Sequence, residues 1–209
     1  MHLAEAAKIK TVPHTLIRLK DGTLGYLTKR IDRKNNGGKI PMEDMCQLTE
    51  RLTEYKYRSS YEQIAKVIAR YSDVPILDIT DFYEEVFFCW LVGNNDMHLK
   101  NFSLYEPETK WRLSPAYDLL NVSIVNPTDT EELALTLNGK KKRIRKIDFV
   151  TAMSSSGIPP KVFDNLITKY KKLLPKFYEL IDCSFLSEEY KQAYKTFIAS
   201  RLNMVSPDE

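Results

Sequence analysis

The chain has 209 residues, of which 43% are hydrophobic and 28% are charged, a composition typical of a globular protein with a core of its own. Its formal net charge of +3 is too small to indicate nucleic-acid binding by itself, and no apolar run approaches the length of a membrane span. The N-terminus does not resemble a signal peptide, and Cys46 and Cys89 lie in apolar contexts, so we expect a cytoplasmic protein with buried thiols and no disulfides.

The N-terminal region is predicted to form a short helix followed by a β-hairpin. Residues 2–8 have the pattern of the last turns of a helix, and residues 14–19 alternate like a strand. Asp21-Gly22 predicts a tight turn into a second strand over residues 23–31.

Helices are predicted for the region that follows. Pro41 is expected to open a polar helix, because proline and acidic residues favour the first turn. Residues 55–72 have apolar side chains at helical spacing, with Ser59 or Ser60 as the N-cap. Pro75, which follows a valine, is predicted to close that second helix.

The densest group of polar residues follows an apolar run, Phe82–Val92, that predicts a core helix ending at Gly93. Within eight positions come Asn94, Asn95, Asp96, His98, Lys100 and Asn101. A core helix that runs into a polar loop, followed by a hairpin and a further acid at Asp118, is typical of an active site. Any one of these residues alone is more often a turn former or a helix cap.

The spacing of these residues indicates a chemistry. Asp96 and Asn101 are five residues apart, as in the D-x-x-x-x-N pattern of a protein-kinase catalytic loop. There the Asp accepts or orients a hydroxyl proton, the Asn holds Mg²⁺, and an acid beyond a β-hairpin holds metal at the phosphates. Asp118 has a suitable position for that acid, and hard oxygen donors suit Mg²⁺. The H-R-D and D-F-G signatures of ordinary eukaryotic-type kinases are absent.

The C-terminal half is predicted to be a loop, a hairpin and a helical bundle. A loop follows Asp118, and residues 133–146 predict two strands joined by an Asn-Gly turn, with alternating leucines on a buried face. The basic residues of that second strand could suggest a nucleic-acid patch, but without interleaved aromatics a solvated hairpin is favoured. From Asp148 onward, apolar residues recur at helical spacing.

Several motifs together resemble the C-terminal half of HipA-like serine/threonine kinases, the toxin components of bacterial toxin–antitoxin modules. The resemblance rests on GNNDMHLKNFSL (93–104) and WRLSPAYDLL (111–120). It extends to TKRIDR (28–33), EDMCQ (43–47), KYRSSYE (56–62) and LALTLNGKKKRIRKIDF (133–149). The implied fold is α+β and mainly helical, a protein-kinase-like C-lobe at residues 34–209 with a catalytic loop at 93–101. Residues 1–33 would be the residual N-lobe hairpin and hinge.

The resemblance also implies roles for individual residues. Asp96 would be the catalytic acid/base residue, with His98 and Lys100 beside it in the catalytic loop. Asn101 and Asp118 would be Mg²⁺ ligands. The further residues expected at ATP are His98 and Tyr117 near the phosphates, Lys29 and Ile31 with backbone groups at adenine, and Asp32 near the ribose. For the hinge positions an exposed strand end is an equally good interpretation.

In HipA-like kinases the phosphate-covering loop and the strand lysine precede the segment that this chain matches. We therefore expect a kinase C-lobe without most of its N-lobe, which a separate N-lobe-like chain could supply. Three hypotheses follow. The first is a kinase that modifies a protein hydroxyl, for instance on an aminoacyl-tRNA synthetase. The second is an inactive remnant that binds a HipB-like DNA-binding antitoxin, and the third is another metal-dependent phosphotransferase or hydrolase. DNA would be contacted only through the antitoxin, and no membrane is expected.

Overall fold

The structure is a computed structural model that describes residues 1–124, 126 and 128–206. Positions 125 and 127 of the predicted loop and 207–209 of the predicted helical lobe lie outside the described residues. In chain order the elements are α1 (His2–Ala6), β1 (His14–Arg18), β2 (Leu24–Thr28), β3 (Met42–Asp44), α2 (Met45–Leu48), α3 (Tyr61–Tyr71), α4 (Pro75–Val92), β4 (Ser103–Tyr105), β5 (Arg112–Leu113), α5 (Lys146–Ser155), α6 (Pro160–Asp182) and α7 (Glu188–Val205). None of the helices among these residues is both long and apolar enough to cross a membrane.

Two small antiparallel sheets accompany the helices. Strands β1 and β2 form the predicted hairpin, with Gly22 in its turn, and strands β3, β4 and β5 form a second sheet in that order. The hairpin leaves much of its apolar surface in solvent, because Leu16, Ile17, Leu24, Tyr26 and Leu27 are all exposed. Strands β4 and β5 of the second sheet follow α4 and the polar loop in the chain, and β3, which precedes α4, pairs with β4, so the sheet holds the end of that loop.

Helix α4 forms the centre of the core. Proline at its first position has no backbone N–H to lose there, and the apolar run that follows is buried on all sides. Phe87 lies in the middle of an aromatic cluster. Its ring centroid is 5.0–6.0 Å from those of Trp90, Phe149, Phe163 and Tyr170. Helix α4, which directly precedes the candidate catalytic loop, is therefore fixed by packing along its length.

One acid of α4 is buried without compensation. Burial raises the pKa of Glu85 to about 8, with a contribution from Asp81, and its Oε1 has no hydrogen-bond partner among the described residues. This pKa is higher than the pKa of a glutamate in the unfolded chain. At a pH between the two pKa values, Glu85 therefore keeps its proton in the folded state and has lost it in the unfolded state. The free energy of unfolding should therefore fall as pH rises, by at most about 1.4 kcal/mol per unit.

We expect Glu85→Gln to remove much of this decline. The amide cannot ionise, so the variant should be more stable than the unsubstituted chain at about pH 8, with a smaller difference at about pH 5. Urea unfolding at both pH values measures the effect. Equal pH slopes in the two proteins would contradict an uncompensated Glu85.

The polar helix predicted from Pro41 is wrong in its start and its length. Residues Met42–Asp44 pair with β4 as a strand, and only Met45–Leu48 are helical. The Asp44 side chain accepts a hydrogen bond from the Gln47 backbone N–H, so Asp44 is the N-cap and the helix begins at Met45, four residues after Pro41. Tertiary pairing with the second sheet therefore overrides the local preference for helix.

The role predicted for Pro75 is also wrong. Helix α3 has Ser60 as its N-cap, as predicted, but it ends at Tyr71, and Ser72 is already extended. Pro75 instead begins α4, where a proline is compatible with the first helical turn. A proline can either end one helix or begin the next. Only the position of the core apolar run distinguishes these two roles for Pro75.

The hairpin predicted over residues 133–146 is reduced to its turn. Asn138 and Gly139 have positive φ, and Leu137 and Lys140 exchange two backbone hydrogen bonds around them. Beyond that pair no regular strand is present in the described residues of this segment. The flanking backbone is held by acidic side chains instead, since the Arg143 N–H donates to Glu132.

The burial predictions for this region are confirmed. Leu133, Leu135 and Leu137 are buried, and so are Cys46 and Cys89. The basic residues after the turn are engaged with neighbours: Lys140 with Asp148, Lys141 with Glu131 and Lys146 with Asp164. The division of the chain at residue 33 stays a prediction.

Candidate active site

The candidate catalytic loop begins at a left-handed residue that ends α4. Gly93 has φ of 78°, and a Cβ added there would lie 2.9 Å from Asn121 Nδ2 and 3.0 Å from Phe197 Cε1. The Asn94 backbone N–H donates to the Cys89 carbonyl at 2.8 Å, which closes the helix. Glycine is therefore required both for the backbone conformation and for the close approach of two neighbours.

We expect Gly93→Ala to destabilise the protein by about 2–5 kcal/mol, the combined cost of a left-handed backbone and of local overpacking. Chemical denaturation measures this loss. Gly139→Ala is the matched control, because that residue also has positive φ but an added Cβ would meet nothing within 4 Å. A larger loss at Gly139 than at Gly93 would contradict the importance of the close approach.

Asp96 lies at the start of the loop and is partly accessible. Its Oδ1 accepts a hydrogen bond of 2.7 Å from the hydroxyl of Tyr57, and its backbone carbonyl accepts one from the His98 N–H. Burial and the hydrogen bond to Asp96 raise the pKa of Tyr57 to about 12, so the phenol stays a donor at neutral pH. One carboxylate oxygen of Asp96 is thus held, and the carboxylate has a defined orientation.

Asn101 and Asp118 are in direct contact. Asn101 Nδ2 donates to Asp118 Oδ2 at 2.8 Å, and Asn101 Oδ1 accepts from the His98 backbone N–H at 3.1 Å. Asp118 is exposed and has φ of 58°, a left-handed conformation that Asp tolerates better than most residues. The structure therefore brings the two predicted metal ligands together, at a point where solvent can reach the carboxylate.

His98 lies on the same loop as Asp96 and Asn101, and it is buried. Its Nδ1 has no hydrogen-bond partner among the described residues, and its ring meets the Tyr57 ring edge-on with centroids 5.0 Å apart. Burial and the nearby Lys56 lower the pKa of His98, which keeps the imidazole neutral at neutral pH. A neutral ring with an unpartnered nitrogen can accept or donate one hydrogen bond to a ligand.

An open cleft of about 320 Å³ is lined by Lys100 and Tyr117, the sequence neighbours of Asn101 and Asp118, but not by Asp96, His98, Asn101 or Asp118 themselves. Its lining consists of Asp32, Met42, Asp44, Gln47, Lys100, Ser103 and Tyr117. Tyr117 is held by hydrogen bonds between its hydroxyl and the Lys100 carbonyl at 2.9 Å and Ser103 Oγ at 2.7 Å. Of the predicted nucleotide-binding residues, Asp32 and Tyr117 therefore share one cleft with Lys100.

Three of the lining side chains are engaged in ion pairs. Lys100 Nζ is 2.5 Å from Asp44 Oδ2, and this hydrogen bond raises the pKa of Lys100. The Arg30 guanidinium, with further contributions from Arg33, lowers the pKa of Asp32. Lys100 is therefore a fixed cation in the cleft, and Asp32 is an ionised carboxylate.

The other two hinge residues are placed differently. The Lys29 side chain is exposed and donates to Asn35 Oδ1 at 3.3 Å, while its backbone N–H donates to the Pro13 carbonyl. Ile31 is half-buried, and neither residue belongs to the lining of the cleft. Their backbone roles at adenine stay predictions.

Sequence reasoning assigned no role to Tyr57, Asp44 or Asn121. Tyr57 and Asp44 lie in the KYRSSYE and EDMCQ motifs, so the motifs signalled their importance without indicating their contacts. Asn121 Nδ2 donates to the Val92 carbonyl at 2.7 Å, and the Val122 N–H donates to the Gly93 carbonyl at 3.0 Å. The segment after Asp118 therefore folds back onto the end of α4, which no spacing in the sequence predicts.

The donor set fits a hard divalent cation. Asp118 offers an exposed carboxylate, and Mg²⁺ ordinarily takes only one or two protein carboxylates. The Asn101 amide oxygen would join it as a ligand by turning from the His98 N–H toward Asp118, which its Nδ2 now faces. The unpartnered nitrogen of His98 and the cation of Lys100 add a hydrogen-bonding group and a positive charge nearby. These residues are compatible with a metal–nucleotide complex, in which they would contact metal and phosphate oxygens.

Comparison with known proteins places the chain in a family. Its sequence matches the HipA-like C-terminal domain over residues 1–176. It is 34% identical over 121 residues to a Sinorhizobium fredii protein named "Putative kinase Y4dM", covering 56% of this chain and 29% of that protein. It is 28% identical over 156 residues to "Putative kinase Y4mE" of the same organism, covering 71% and 36%. The chain thus spans about a third of the length of these relatives.

Solved structures show the same fold. HipA of Shewanella oneidensis MR-1, in its complex with HipB and operator DNA, matches with a TM-score of 0.84 at 20% identity, covering 98% of this chain and 54% of that chain. The Helicobacter pylori proinflammatory kinase CtkA matches with a TM-score of 0.62 at 16% identity, covering 98% and 78%. The predicted α+β, mainly helical C-lobe with a short hairpin is therefore confirmed. Since the family match covers most of its length, this chain belongs to the HipA-like C-terminal domain family.

Proposed function

We propose that the chain is the catalytic C-lobe of a HipA-like serine/threonine protein kinase that transfers the γ-phosphate of ATP to a protein hydroxyl. The observation that supports this most directly is the contact of 2.8 Å between Asn101 and Asp118, on the loop that also bears Asp96. An amide and an acid in contact, with a second acid at kinase spacing on the same loop as the amide, match the residues that phosphoryl transfer uses. The family relationship supports the same reaction class.

In this proposal each residue of the site has a separate role. Asp96 accepts the proton of the acceptor hydroxyl, and Tyr57 keeps its carboxylate oriented. Asn101 and Asp118 hold Mg²⁺, while His98, Lys100 and Tyr117 lie at the phosphates. Mg·ATP, when bound, supplies the transferred group and neutralises its charge. Asp32 contacts the ribose, and the backbone of Lys29 and Ile31 contacts adenine.

We further propose a cytoplasmic kinase with a HipB-like antitoxin as partner and a protein target such as an aminoacyl-tRNA synthetase. The solved complex of HipA with HipB and operator DNA supports this class of partner. A separate N-lobe-like chain would add the phosphate-covering loop and the strand lysine. Each charge-assisted hydrogen bond supplied in this way is worth about 1.5–3 kcal/mol of nucleotide binding.

Thermal stability with Mg·ATP tests the nucleotide site. A ligand at one hundred times its Kd stabilises by about 2.7 kcal/mol, which raises the Tm of a chain of this size by about 5–10 °C. We expect Asp118→Ala to abolish the rise, and chelation of Mg²⁺ to do the same. Asp164→Ala is the control, because Asp164 lies in α6 and pairs only with surface Lys146.

A second candidate function is supported by the exposed apolar surface of the β1–β2 hairpin. In that case the chain is a catalytically incomplete kinase remnant that binds a protein partner such as the antitoxin. The same experiment separates the two functions, since a binding module predicts no Tm change at millimolar Mg·ATP. Asp96, Asn101 and Asp118 would then tolerate substitution without loss of partner binding.

A further inference from the structure

We propose that His2, Glu5 and His14 form a binding site for a divalent transition metal of the zinc class, and that the bound metal fixes the β1–β2 hairpin to the body of the chain. This proposal is independent of the kinase function. A nitrogen of each histidine and a carboxylate oxygen of Glu5 all lie within 4.8 Å of one another. Within the described residues, no other group of three His, Cys, Asp or Glu residues is gathered as closely.

The distances are short enough for a common ligand. Glu5 Oε2 is 3.1 Å from His2 Nδ1, and Glu5 Oε1 is 3.9 Å from His14 Nδ1. Zinc bonds of about 2.0–2.1 Å in tetrahedral geometry separate the ligand atoms by about 3.3 Å. The three ligand atoms, which lie within 4.8 Å of one another, must therefore move closer by at most about 1.5 Å. The His2 and Glu5 side chains are 63% and 51% exposed and can rotate to do so.

His14 has the environment of a metal-binding imidazole. Its side chain is only 2% exposed, and its Nδ1 lies 3.1 Å from the Val12 carbonyl oxygen. Its Nε2 is buried and has no partner among the described residues. Histidine ligands of metals commonly donate one ring N–H to a backbone carbonyl, which leaves the lone pair of the other nitrogen for the metal. Metal binding at His14 Nε2 would preserve the contact of Nδ1 with Val12, whereas binding at Nδ1, the nitrogen 3.9 Å from Glu5 Oε1, would replace that contact.

The ligand set selects the class of metal. Two imidazoles and one carboxylate suit Zn²⁺ and related transition metals, whereas Mg²⁺ prefers oxygen ligands. Three protein ligands leave at least one coordination position for water. The site is therefore chemically distinct from the oxygen donors of Asn101 and Asp118.

The position of the site indicates what metal binding does. His2 and Glu5 belong to α1, His14 begins β1, and the His14 ring lies 6.3 Å from the ring of Tyr26 on β2. In the described residues β1 and β2 pair only with each other as strands, and a two-stranded hairpin is marginally stable alone. A metal link to α1 would restrain this hairpin.

Calorimetric titration of the tag-free chain with Zn²⁺ tests the site. We expect one equivalent to bind, with affinity reduced at least about tenfold in Glu5→Gln and in His14→Gln. Glu179→Gln should retain the original affinity, because Glu179 forms a comparable exposed i,i+3 pair with Lys176 on α6. Asp118→Asn should also retain it, which shows that Zn²⁺ is not bound at the candidate active site.

Hydrogen exchange provides a second readout. Zn²⁺ should slow exchange of the β1 and β2 amides, and Mg²⁺ should leave them unchanged. Absence of Zn²⁺ binding, or unchanged affinity in Glu5→Gln, would overturn the site; Glu5 is exposed, so its substitution leaves the fold intact. Binding without added protection of the hairpin would overturn the proposed restraint.

Discussion

Asp96→Asn is expected to reduce phosphoryl transfer by about 10²–10⁴-fold, the contribution of a positioned general base. The amide has nearly the shape of the carboxylate but cannot accept the hydroxyl proton. The Tyr57 hydroxyl can still donate to the remaining side-chain oxygen, so the loop geometry should persist. Transfer is measured with γ-labelled ATP and acceptor proteins from a cell lysate, with and without an N-lobe-like chain.

Two comparisons make this result specific. The Tm and its rise with Mg·ATP should be the same in Asp96→Asn as in the unsubstituted chain, because Asp96 has no proposed role in holding the nucleotide. Asp164→Asn should transfer phosphate normally, since it removes a carboxylate from an exposed surface of α6. Full transfer by Asp96→Asn would exclude the role proposed for that residue.

Phe87→Ala is expected to destabilise the fold by about 3–5 kcal/mol, as is usual when a large buried aromatic side chain is truncated. The Phe87 ring is fully buried and contacts rings contributed by α4, α5 and α6, so no single element can move to fill the cavity. With total stabilities of about 5–15 kcal/mol, this is a large fraction of what holds the domain together. Urea denaturation measures the loss.

The matched control lies on the same helix. Ile76 is 60% exposed near the start of α4, and Ile76→Ala should change the free energy of unfolding by no more than about 0.5 kcal/mol. If both substitutions had the same effect, the aromatic cluster would not have the central position assigned to it.

The contact between Asn101 and Asp118 could be predicted because the residues are close in sequence, whereas the catalytic and metal-binding roles of the site residues stay predictions. Asp96 and Asn101 lie on one short loop, so their proximity follows from spacing alone. The contact with Asp118 depends on a two-stranded turn between β4 and β5, which local turn residues also indicate. The core helix was recognisable because its apolar residues form one continuous run.

The contacts that sequence reasoning missed are long-range. Tyr57 meets Asp96 from a segment 39 positions away, and Asp44 meets Lys100 from 56 positions away. Nothing in local periodicity specifies such pairs. The helix predicted from Pro41 failed for the same reason, because pairing of residues 42–44 with β4 is decided by tertiary structure and not by propensity.

The hydrogen bonds that join Asn121 to Val92, and the following residue to Gly93, have an evolutionary consequence. They tie the backbone that presents Asp118 to the backbone that presents Asp96, so neither acid can drift independently of the other. Mutational effects in the two segments should be epistatic, with double-mutant losses that differ from the sum of the single ones. Across divergent homologues, the two segments should accordingly change in concert.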